Sequence, residues 1–389
     1  MADPSFLLDS QVPSPCFVID LDRLRQNARV LAGVQERTGA RMFLALKGYA
    51  CPSTFPLLSR ALGRGGPLYG TCASSVDEAR LGREEFGGKV EAFAAAWSED
   101  EMRELVTLAD TIVFNSVAQW HRFRDIVKAA PRSIECGLRV NPEHSEGTVP
   151  IYDPCSPISR LGIRRRDLPD GIMSEGISGL HFHTLCEQGA DALARTVEAV
   201  EKNFAPFLEQ CAWINCGGGH HITRDGYDID LLVDVLNHLH DTYHAQIYLE
   251  PGEAVALNAG WLTATVLDIT EADMPLVQLD VSAACHMPDV LEMPYRPPLF
   301  GSGKAGVLPF TYRLGSATCL SGDVIGDYSF PEKKEIGDKL IFEDMAIYSF
   351  VKNNTFNGMP LPSLIVLHKD SSCETIKQFG YEDFKMRLG

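Results

Sequence analysis

Short apolar runs alternate with longer polar segments through roughly the first 250 residues of the chain. Eight apolar runs have the length of buried strands: 42–46, 68–72, 90–95, 111–114, 136–140, 179–183, 213–216 and 246–249. The polar segments between them include five of helical length: 75–86, 99–108, 118–129, 187–210 and 228–243. Strands that alternate with helices form parallel sheets, and eight such units predict a (β/α)8 barrel of the TIM type. A doubly wound open sheet is the alternative, but it usually carries an early glycine-rich turn, which this sequence lacks.

The composition of the chain changes after Gly252. Val, Thr, Asp, Pro and Gly become more frequent, and stretches such as W-L-T-A-T-V-L-D-I and D-K-L-I-F-E-D have no helical period. We therefore predict an α/β protein with a barrel over residues 22–255 and a mostly β C-terminal domain over residues 256–389. Residues 1–21, with the strand-like P-C-F-V-I-D, are assigned to the β domain, although they could also lead into the barrel.

The chain is acidic, with 35 Lys and Arg residues against 52 Asp and Glu residues and a net charge of −17. This balance argues against nucleic acid or an anionic membrane as a partner, and it suits a cationic substrate. The N-terminus lacks a basic segment followed by an apolar core, and no apolar run reaches the roughly 18 residues that a membrane span needs. Eleven cysteines without C-x-x-C spacing indicate reduced thiols, so we expect a cytoplasmic protein.

Functional side chains of (β/α)8 barrels lie at the C-terminal ends of the strands. In this sequence the predicted strand ends carry a set of polar residues and glycines: Lys47, Arg139, His181, His183, Gly217, Gly218, Gly219 and Glu250. Lys47 alone could simply mark the point where its strand reaches water, because most such lysines are ordinary surface residues. The convergence of these groups on one mouth of the barrel favours instead a reactive amine in a pocket.

Each of the other groups has more than one interpretation. Glycines 217–219 make either a tight turn or a loop that binds phosphate, and their position after the seventh strand favours phosphate. His181 and His183 could be a metal pair, a cofactor-stacking ring beside a packing partner, or core histidines. No metal site is predicted, because no carboxylate–histidine set completes one. Glu250 could pair with an arginine or face a pyridine nitrogen. A reactive lysine, a phosphate loop, a stacking histidine and an acid that faces a pyridine nitrogen together match the needs of one cofactor, pyridoxal 5′-phosphate (PLP).

Six motifs resemble those of one enzyme group: L-A-L-K-G, H-F-H-T-L-C-E, G-G-G-H-H, E-P-G-E-A, A-T-C-L-S-G-D and N-N-T-F-N-G. Through them the chain resembles, over nearly its whole length, the fold-type III PLP decarboxylases. These enzymes have an alanine racemase-like barrel and include the ornithine, arginine and diaminopimelate decarboxylases. Within the group, the chain is most similar to the carboxynorspermidine (carboxyspermidine) decarboxylases.

The resemblance implies PLP-dependent decarboxylation of carboxynorspermidine, carboxyspermidine or both. The products would be norspermidine or spermidine, and the enzyme would belong to polyamine biosynthesis. The alternatives are another decarboxylase of this fold (of the diaminopimelate, ornithine or arginine type), a racemase, or a non-catalytic PLP-binding homologue.

The resemblance also assigns roles to individual residues. Lys47 would form the Schiff base with PLP, His183 would stack on the ring, and Cys319 or Lys47 would protonate the carbanion. Further cofactor contacts fall to Gly217, Gly218, Gly219, Glu250, Tyr348 and Arg139, and substrate contacts fall to Asp323, Glu253, Leu320 and Arg160. Cys319 and Asp323 match a pair that enters the partner subunit's site. A homodimer with a shared active site and a small carboxy-polyamine ligand is therefore expected.

Two positions depart from the ornithine and diaminopimelate enzymes. Glu253 follows E-P-G where those enzymes usually carry Arg, and an added acid suits a polyamine-like substrate. Leu320 follows Cys319 where those enzymes carry an acid. A leucine cannot pair with a charged substrate end, but it can line a channel for the methylenes of a longer substrate. Both departures point away from ornithine and diaminopimelate.

Overall fold

The computed structural model describes residues 3–9, 12–147 and 149–389. The chain divides into two compact units, each with its own sheet. One unit is Arg25–Val255, and the other combines the N-terminal residues up to Leu24 with Ala256–Gly389. Among the described residues, no helix combines the length and the hydropathy that crossing a lipid bilayer demands.

Eight parallel strands close into a barrel in the first unit. Barrel strands 1 to 8 are Arg41–Ala45, Gly70–Ala73, Lys89–Phe93, Thr111–Phe114, Glu135–Asn141, Gly179–His181, Trp213–Asn215 and Gln246–Leu249. Neighbours in the chain pair in order, and strand 8 returns to strand 1 through the pair Tyr248 and Arg41. A short strand, Ile163–Arg164, adds to the end of strand 5. The predicted (β/α)8 barrel with an additional β domain is confirmed.

Each barrel strand is followed along the chain by one or more helices, as the polar segments predict. The α-helices of this unit are Leu21–Thr38, Phe55–Leu58, Val76–Leu81, Glu99–Leu108, Val117–Lys128, Ala190–Leu208, Ile229–Tyr243 and Glu253–Ala256, with a π-helical turn at Gly82–Phe86. Short 3₁₀ helices are Pro52–Thr54, Pro150–Tyr152, Arg165–Asp167 and Ile172–Glu175. Ser75, Ser98, Ser116 and Asp228 cap four of the α-helices by accepting a backbone N–H. These caps explain why the helices begin where they do.

Bulky side chains fill the barrel interior next to glycines. Trp213 packs with Phe43 and Tyr248 in a buried cluster. A Cβ at Gly137 or Gly179 would lie 2.2 Å or 2.1 Å from the Trp213 ring, so the indole occupies the space that side chains would take. The barrel is thus packed below its mouth, as in other barrels of this class.

The second unit is a mixed β-sheet built from both ends of the chain. Its strands are Cys16–Asp20, Gly260–Glu271, Pro275–Leu279, Gly303–Lys304, Phe310–Ser316, Val324–Phe330, Lys339–Glu343, Ser363–Leu367 and Cys373–Lys377. Its helices are Phe6–Asp9, Ala283–His286, Asp289–Glu292, Ser349–Lys352, Tyr381–Leu388 and the 3₁₀ turn Phe356–Gly358. Strand Cys16–Asp20 runs antiparallel to Gly260–Glu271 and parallel to Ser363–Leu367. The strand-like N-terminal segment therefore belongs to this sheet.

Candidate active site

A cavity of about 220 Å³ lies at the C-terminal ends of the barrel strands. Its lining includes six polar residues that the sequence singles out: Lys47, Arg139, Arg160, His181, His183 and Glu250. These residues come from four barrel strands and the loops after them, so the closed barrel alone brings them together.

Lys47 lies in the turn after barrel strand 1, two residues beyond the end of the strand at Ala45. The N–H of Gly48 donates to the carbonyl oxygen of Ala45 at 3.0 Å and closes this turn. A Cβ at Gly48 would lie 3.1 Å from the backbone of Gly252, so glycine allows the turns after strands 1 and 8 to approach closely. The Lys47 side chain remains exposed within this chain, as a reactive amine requires.

Glu250 is a buried carboxylate that follows barrel strand 8. Nδ2 of Asn215 donates to its Oε1 at 2.8 Å, and Nε2 of His181 lies 3.0 Å from the same oxygen. Burial opposes ionisation, but His181 and the other neighbours outweigh it and hold the pKa of Glu250 well below its usual value. Burial lowers the pKa of His181, against the opposite effect of Glu250. The cavity floor thus presents a carboxylate supported by a neutral imidazole.

His183 lies just beyond barrel strand 6, which ends at His181 and not at residue 183 as predicted. Its Nδ1 accepts a hydrogen bond from the N–H of Gly218 at 2.9 Å, so Nδ1 carries no proton. Burial, and then the charge of Lys47, lowers the pKa of His183 well below its usual value. The ring is therefore neutral, and the loop after strand 7 fixes its orientation.

Arg139 on barrel strand 5 forms one wall of the cavity and is almost fully buried. Its guanidinium carbon lies 4.7 Å from the centroid of the Phe93 ring, and Nη2 donates to the carbonyl oxygen of His183 at 3.0 Å. The Phe93 ring stacks on His181 with centroids 5.5 Å apart. Burial lowers the pKa of Arg139 to about 10, which leaves the side chain charged at neutral pH. These contacts hold the two histidines in place.

The three glycines after barrel strand 7 have no room for side chains. A Cβ at Gly218 would lie 2.3 Å from the carbonyl oxygen of Glu250, and one at Gly219 would lie 2.0 Å from that of Leu185. The N–H groups of Gly217 and Gly218 already donate to Asn215 Oδ1 and to His183 Nδ1. The Gly219 N–H makes no hydrogen bond to another described residue, so it is the donor that this triplet offers to a ligand.

Arg160 and Glu253 differ in their surroundings. Arg160 lines the cavity with an exposed side chain, and its guanidinium forms no ion pair within the described part of the chain. Glu253 does not line the cavity; its Oε2 lies 3.1 Å from Nε2 of His221. Burial opposes protonation of His221, but Glu253 outweighs it and raises the pKa of the imidazole. A substrate ammonium would have to compete with His221 for Glu253.

Asp323 belongs to the β-rich unit and accepts four hydrogen bonds. The hydroxyls of Ser282, Ser316 and Thr318 each donate to Oδ2 at 2.6 Å, and the N–H of Ala284 donates to Oδ1 at 3.1 Å. Burial opposes ionisation, but the three hydroxyls lower the pKa of Asp323 below its usual value. Oδ2 is saturated, and Oδ1 retains one acceptor site.

The other site residues of the β-rich unit are more open. Cys319 is exposed, and its N–H donates to Oδ1 of Asn357 at 2.8 Å. Leu320, the next residue, is 41% exposed. Tyr348 has a φ of 40°, which is unusual for a residue with a side chain.

Two residues of the site escape the sequence analysis. Asn215 ends barrel strand 7 and joins Glu250 to the Gly217 N–H, and Glu91 on barrel strand 3 bonds to the same amide. The signal for Glu91 is a charged residue in the middle of the apolar run 90–95. The signal for Asn215 is weaker, since a polar residue before a glycine turn is common.

The residues of the cavity fit PLP by their chemistry. An exposed amine, a carboxylate and a neutral ring share one cavity. Beside them lies a backbone cradle that any side chain at Gly218 or Gly219 would fill. An aldehyde needs the amine, a pyridine nitrogen needs the acid, and a phosphate needs the cradle.

Comparisons with known proteins agree with this chemistry. The family model for the pyridoxal-dependent decarboxylase, C-terminal sheet domain, matches residues 16–346. A carboxyaminopropylagmatine decarboxylase of Synechocystis sp. is 41% identical over 98% of this chain and 96% of that protein. A carboxynorspermidine/carboxyspermidine decarboxylase of Campylobacter jejuni is 39% identical over 97% of this chain and 99% of that protein.

The fold agrees with a solved structure as well. The crystal structure of carboxynorspermidine decarboxylase from Campylobacter jejuni, complexed with norspermidine, superposes with a TM-score of 0.87. It is 37% identical, and the match covers 97% of this chain and 100% of that one. On the family match, the near-complete coverage and the cavity, the chain belongs to the pyridoxal-dependent decarboxylases and is a PLP-dependent carboxy-lyase.

Proposed function

We propose that the enzyme removes CO₂ from a carboxy-polyamine in polyamine biosynthesis. Such a substrate is an α-amino acid whose side chain continues through a secondary amine to a distal cationic group. The observation that carries the proposal is one cavity lined by Lys47, His183 and Glu250, in a chain about 40% identical to relatives named for carboxy-polyamines. PLP, when bound, supplies the electron sink for the charge that departing CO₂ leaves.

The barrel residues would hold and orient the cofactor. Lys47 would carry it, His183 would cover one face of its ring, and Glu250 would face the ring nitrogen. Gly219 would offer its N–H to the phosphate, and Gly217 and Gly218 would act by leaving space. Arg139 would support His183, as its hydrogen bond to that residue's carbonyl oxygen suggests. Tyr348 would lie near the phosphate of the cofactor.

The substrate would meet residues of two subunits, with the enzyme acting as a homodimer. We propose that the turn from Cys319 to Asp323 of one subunit completes the cavity of its partner. The exposed Leu320 would contact the methylenes of a long substrate, and Cys319 would donate a proton. Asp323 would accept a substrate ammonium through the free site on Oδ1.

Two further side chains are proposed as substrate contacts. The guanidinium of Arg160, which forms no ion pair with a described residue, suits the substrate carboxylate. Glu253 is the proposed acid for a distal cation, provided that the cation displaces His221.

The relatives widen the substrate class that the sequence motifs imply. One of them is named for a substrate derived from agmatine, which ends in a guanidinium, and the other for substrates that end in an ammonium. Identities of 41% and 39% do not separate these two types. The proposal therefore includes carboxynorspermidine, carboxyspermidine and carboxyaminopropylagmatine.

The test is CO₂ release by the PLP-loaded enzyme from a panel of single substrates. The panel contains the three carboxy-polyamines together with diaminopimelate, ornithine and arginine. We expect release from at least one carboxy-polyamine with a kcat/KM at least a hundredfold above that of each simple amino acid. Preferential release from diaminopimelate, ornithine or arginine would overturn the substrate class and leave the decarboxylase chemistry in place.

A further inference from the structure

Two buried carboxyl groups, Glu91 and Glu250, share one amide inside the barrel; we call them the acid pair. Nδ2 of Asn215 donates to Oε1 of Glu91 at 2.7 Å and to Oε1 of Glu250 at 2.8 Å. Oδ1 of Asn215 accepts from the N–H of Gly217 at 2.8 Å. Because a backbone N–H can only donate, this contact fixes which end of the amide faces the acids. The NH₂ group of Asn215 therefore faces both carboxyl groups.

Glu91 lies one layer below the cavity. Phe93, two residues further along barrel strand 3, lines the cavity, so the two side chains share the inner face of the strand. Glu91 has no solvent exposure, and its Oε2 has no hydrogen-bond partner with normal geometry among the described residues. None of the roles proposed above uses this side chain.

The surroundings of the acid pair favour one negative charge over two. Two ionised carboxylates around one amide in a dry interior repel strongly, and a site of this kind normally retains one proton. The charged or titratable groups that act on the acid pair from other strands and turns are His181, His183, Arg139, Cys72, Cys216 and Glu135, and Lys47 lines the cavity nearby. His181 is a neutral ring, and the two cations line the cavity above.

The proton of the acid pair belongs to Glu91. Asn215 donates to both acids, but Oε1 of Glu250 also lies 3.0 Å from Nε2 of His181, whereas no imidazole or cation lies this close to Glu91 among the described residues. Burial, and then the charge of Glu250, raises the pKa of Glu91 well above its usual value, whereas that of Glu250 is held low. An acid with a free hydroxyl oxygen beside a carboxylate can donate to that carboxylate.

We propose that Glu91 is a positioning acid for Glu250: it stays protonated in the working enzyme and, with Asn215, keeps Glu250 a fixed carboxylate against the cofactor's ring nitrogen. The proposal rests on the proposed contact of Glu250 with that nitrogen. The single negative charge of the acid pair balances the positive charge of one protonated ring nitrogen. Donors on Glu250 also lower its basicity, so the proton stays on the ring, where it withdraws electrons from the reacting carbon.

A cation is the rival occupant of this place. Sγ of Cys72 and oxygens of the acid pair lie within 4.8 Å of one another, a spacing that suits a metal ion. However, Asn215 directs one N–H at each acid, which places positive dipoles where a cation would bind. Burial also raises the pKa of Cys72 well above its usual value, so a thiolate ligand is disfavoured. A proton retained by the acid pair is compatible with both N–H groups of Asn215 and needs no thiolate at Cys72.

The experiment compares Glu91→Gln and Glu91→Leu with the wild type as holoenzymes. Gln is uncharged and keeps an N–H to donate, whereas Leu keeps volume but donates nothing. Glu85→Gln is the control, since Glu85 is exposed in the π-helical turn Gly82–Phe86 and is not among the groups that act on the acid pair. Three quantities are measured: the infrared band of a protonated carboxylic acid, the ¹⁵N chemical shift of ring-labelled PLP, and kcat with KM.

We expect a carboxylic acid band in the wild type at pH 8 that disappears in Glu91→Gln and persists in Glu85→Gln. Glu91→Gln should keep at least a third of kcat and a protonated ring nitrogen. Glu91→Leu should lower kcat at least tenfold with less than a threefold change in KM, and shift the ¹⁵N signal toward the unprotonated form.

Two results would overturn the proposal: an acid band that survives Glu91→Gln, or a Gln variant that loses as much kcat and ring protonation as the Leu variant. If Glu91→Leu does not fold, the infrared band and the comparison of Glu91→Gln with the wild type still test the proposal. Absence of turnover of any carboxy-polyamine by the wild type would reject the proposed substrate class. The infrared and ¹⁵N measurements need no substrate and would stand.

Discussion

Nδ1 of His183 accepts a hydrogen bond from the backbone N–H of Gly218 at 2.9 Å, which joins the ends of barrel strands 6 and 7. The ring and the glycine loop therefore position each other. We expect His183→Ala to weaken PLP binding about tenfold to a hundredfold, because it removes a hydrogen bond and a stacking surface worth about 1 kcal/mol each. The measurement is a fluorescence titration of the apoenzyme with PLP. His238→Ala, on the exposed side of helix Ile229–Tyr243, should leave the Kd unchanged; an equal effect there would contradict the assignment.

Lys47 supplies the amine of the cavity. Lys47→Ala should abolish the long-wavelength absorbance of lysine-bound cofactor and lower CO₂ release by at least a thousandfold, because no other lysine lines the cavity among the described residues. Absorbance spectra and CO₂ release measure both effects. Lys89→Ala serves as the control, since Lys89 lies at the start of barrel strand 3 and contacts Glu135. Unchanged absorbance in Lys47→Ala would exclude Lys47 as the cofactor lysine.

Asp323 stabilises the turn that carries Cys319 and Leu320. Asp323→Ala leaves three hydroxyls without their acceptor, so we expect a loss of about 2–3 kcal/mol in the free energy of unfolding. We also expect a KM for the carboxy-polyamine raised more than the Kd for PLP. Urea denaturation and steady-state kinetics measure these effects. Equal changes in KM and Kd would make Asp323 a purely structural residue.

The same residue predicts a pH dependence of stability. The folded-state pKa of Asp323 lies below the ordinary 3.8, so its contribution is complete above the unfolded pKa and is lost as pH falls through the folded value. The difference in unfolding free energy between wild type and Asp323→Ala should be constant from pH 5 to 7 and shrink below about pH 4. A difference that persists undiminished at pH 2 would show that the acid's charge is not involved.

The contact of His221 with Glu253 predicts the opposite pH dependence. Glu253 raises the pKa of His221, so the stabilisation is complete below the unfolded value of about 6.5 and is lost as pH rises through the folded value. Glu253→Gln should lower the His221 pKa and cost about 1 kcal/mol at pH 5.5, with little cost at pH 9. NMR titration and urea denaturation test this. Glu201→Gln, which removes the acceptor of the exposed His238, should leave the His221 curve unchanged.

Leu320 tests the substrate argument. Leu320→Asp should lower kcat/KM for the carboxy-polyamine about tenfold, because an apolar contact worth about 0.8 kcal/mol per methylene is lost. PLP affinity should stay within twofold. Leu267→Asp places the same change on another exposed leucine of the β-rich unit and should have no effect. A larger kcat/KM in Leu320→Asp would contradict the proposed channel.

The barrel follows from the sequence because its signals are local. Each strand is a short apolar run. A serine or aspartate marks the start of each of four helices, where its side chain accepts a hydrogen bond from the backbone N–H three residues later. Residues at strand ends, such as Lys47 and Glu250, could be placed at one mouth because parallel strands of a barrel end on the same side.

The partners of the polar side chains do not follow from the sequence. Asn215 bonds to Glu91, which is 124 residues away, and no local pattern indicates that contact. Barrel strand 6 ends at His181, two residues before the predicted end at residue 183. The residues up to His183 have the composition of a strand, but the His183 ring bonds to the Gly218 N–H, a contact that the local sequence does not indicate. Hydrogen bonds to Asn215 and His183 likewise occupy two of the three N–H groups of the glycine loop, which composition alone cannot reveal.

Strand Cys16–Asp20 has consequences for the order in which the protein folds during synthesis. Its pairing with the antiparallel partner extends to Thr263, and its parallel partner begins at Ser363. At 5–20 residues per second, a ribosome needs roughly 12–50 s to make the first partner and several seconds more for the second. By the end of the first interval the whole barrel sequence has been made, while the edges of the earliest strand have stayed unpaired. We therefore expect the barrel to fold before the β-rich unit, with the nascent N-terminal strand exposed until its partners are made.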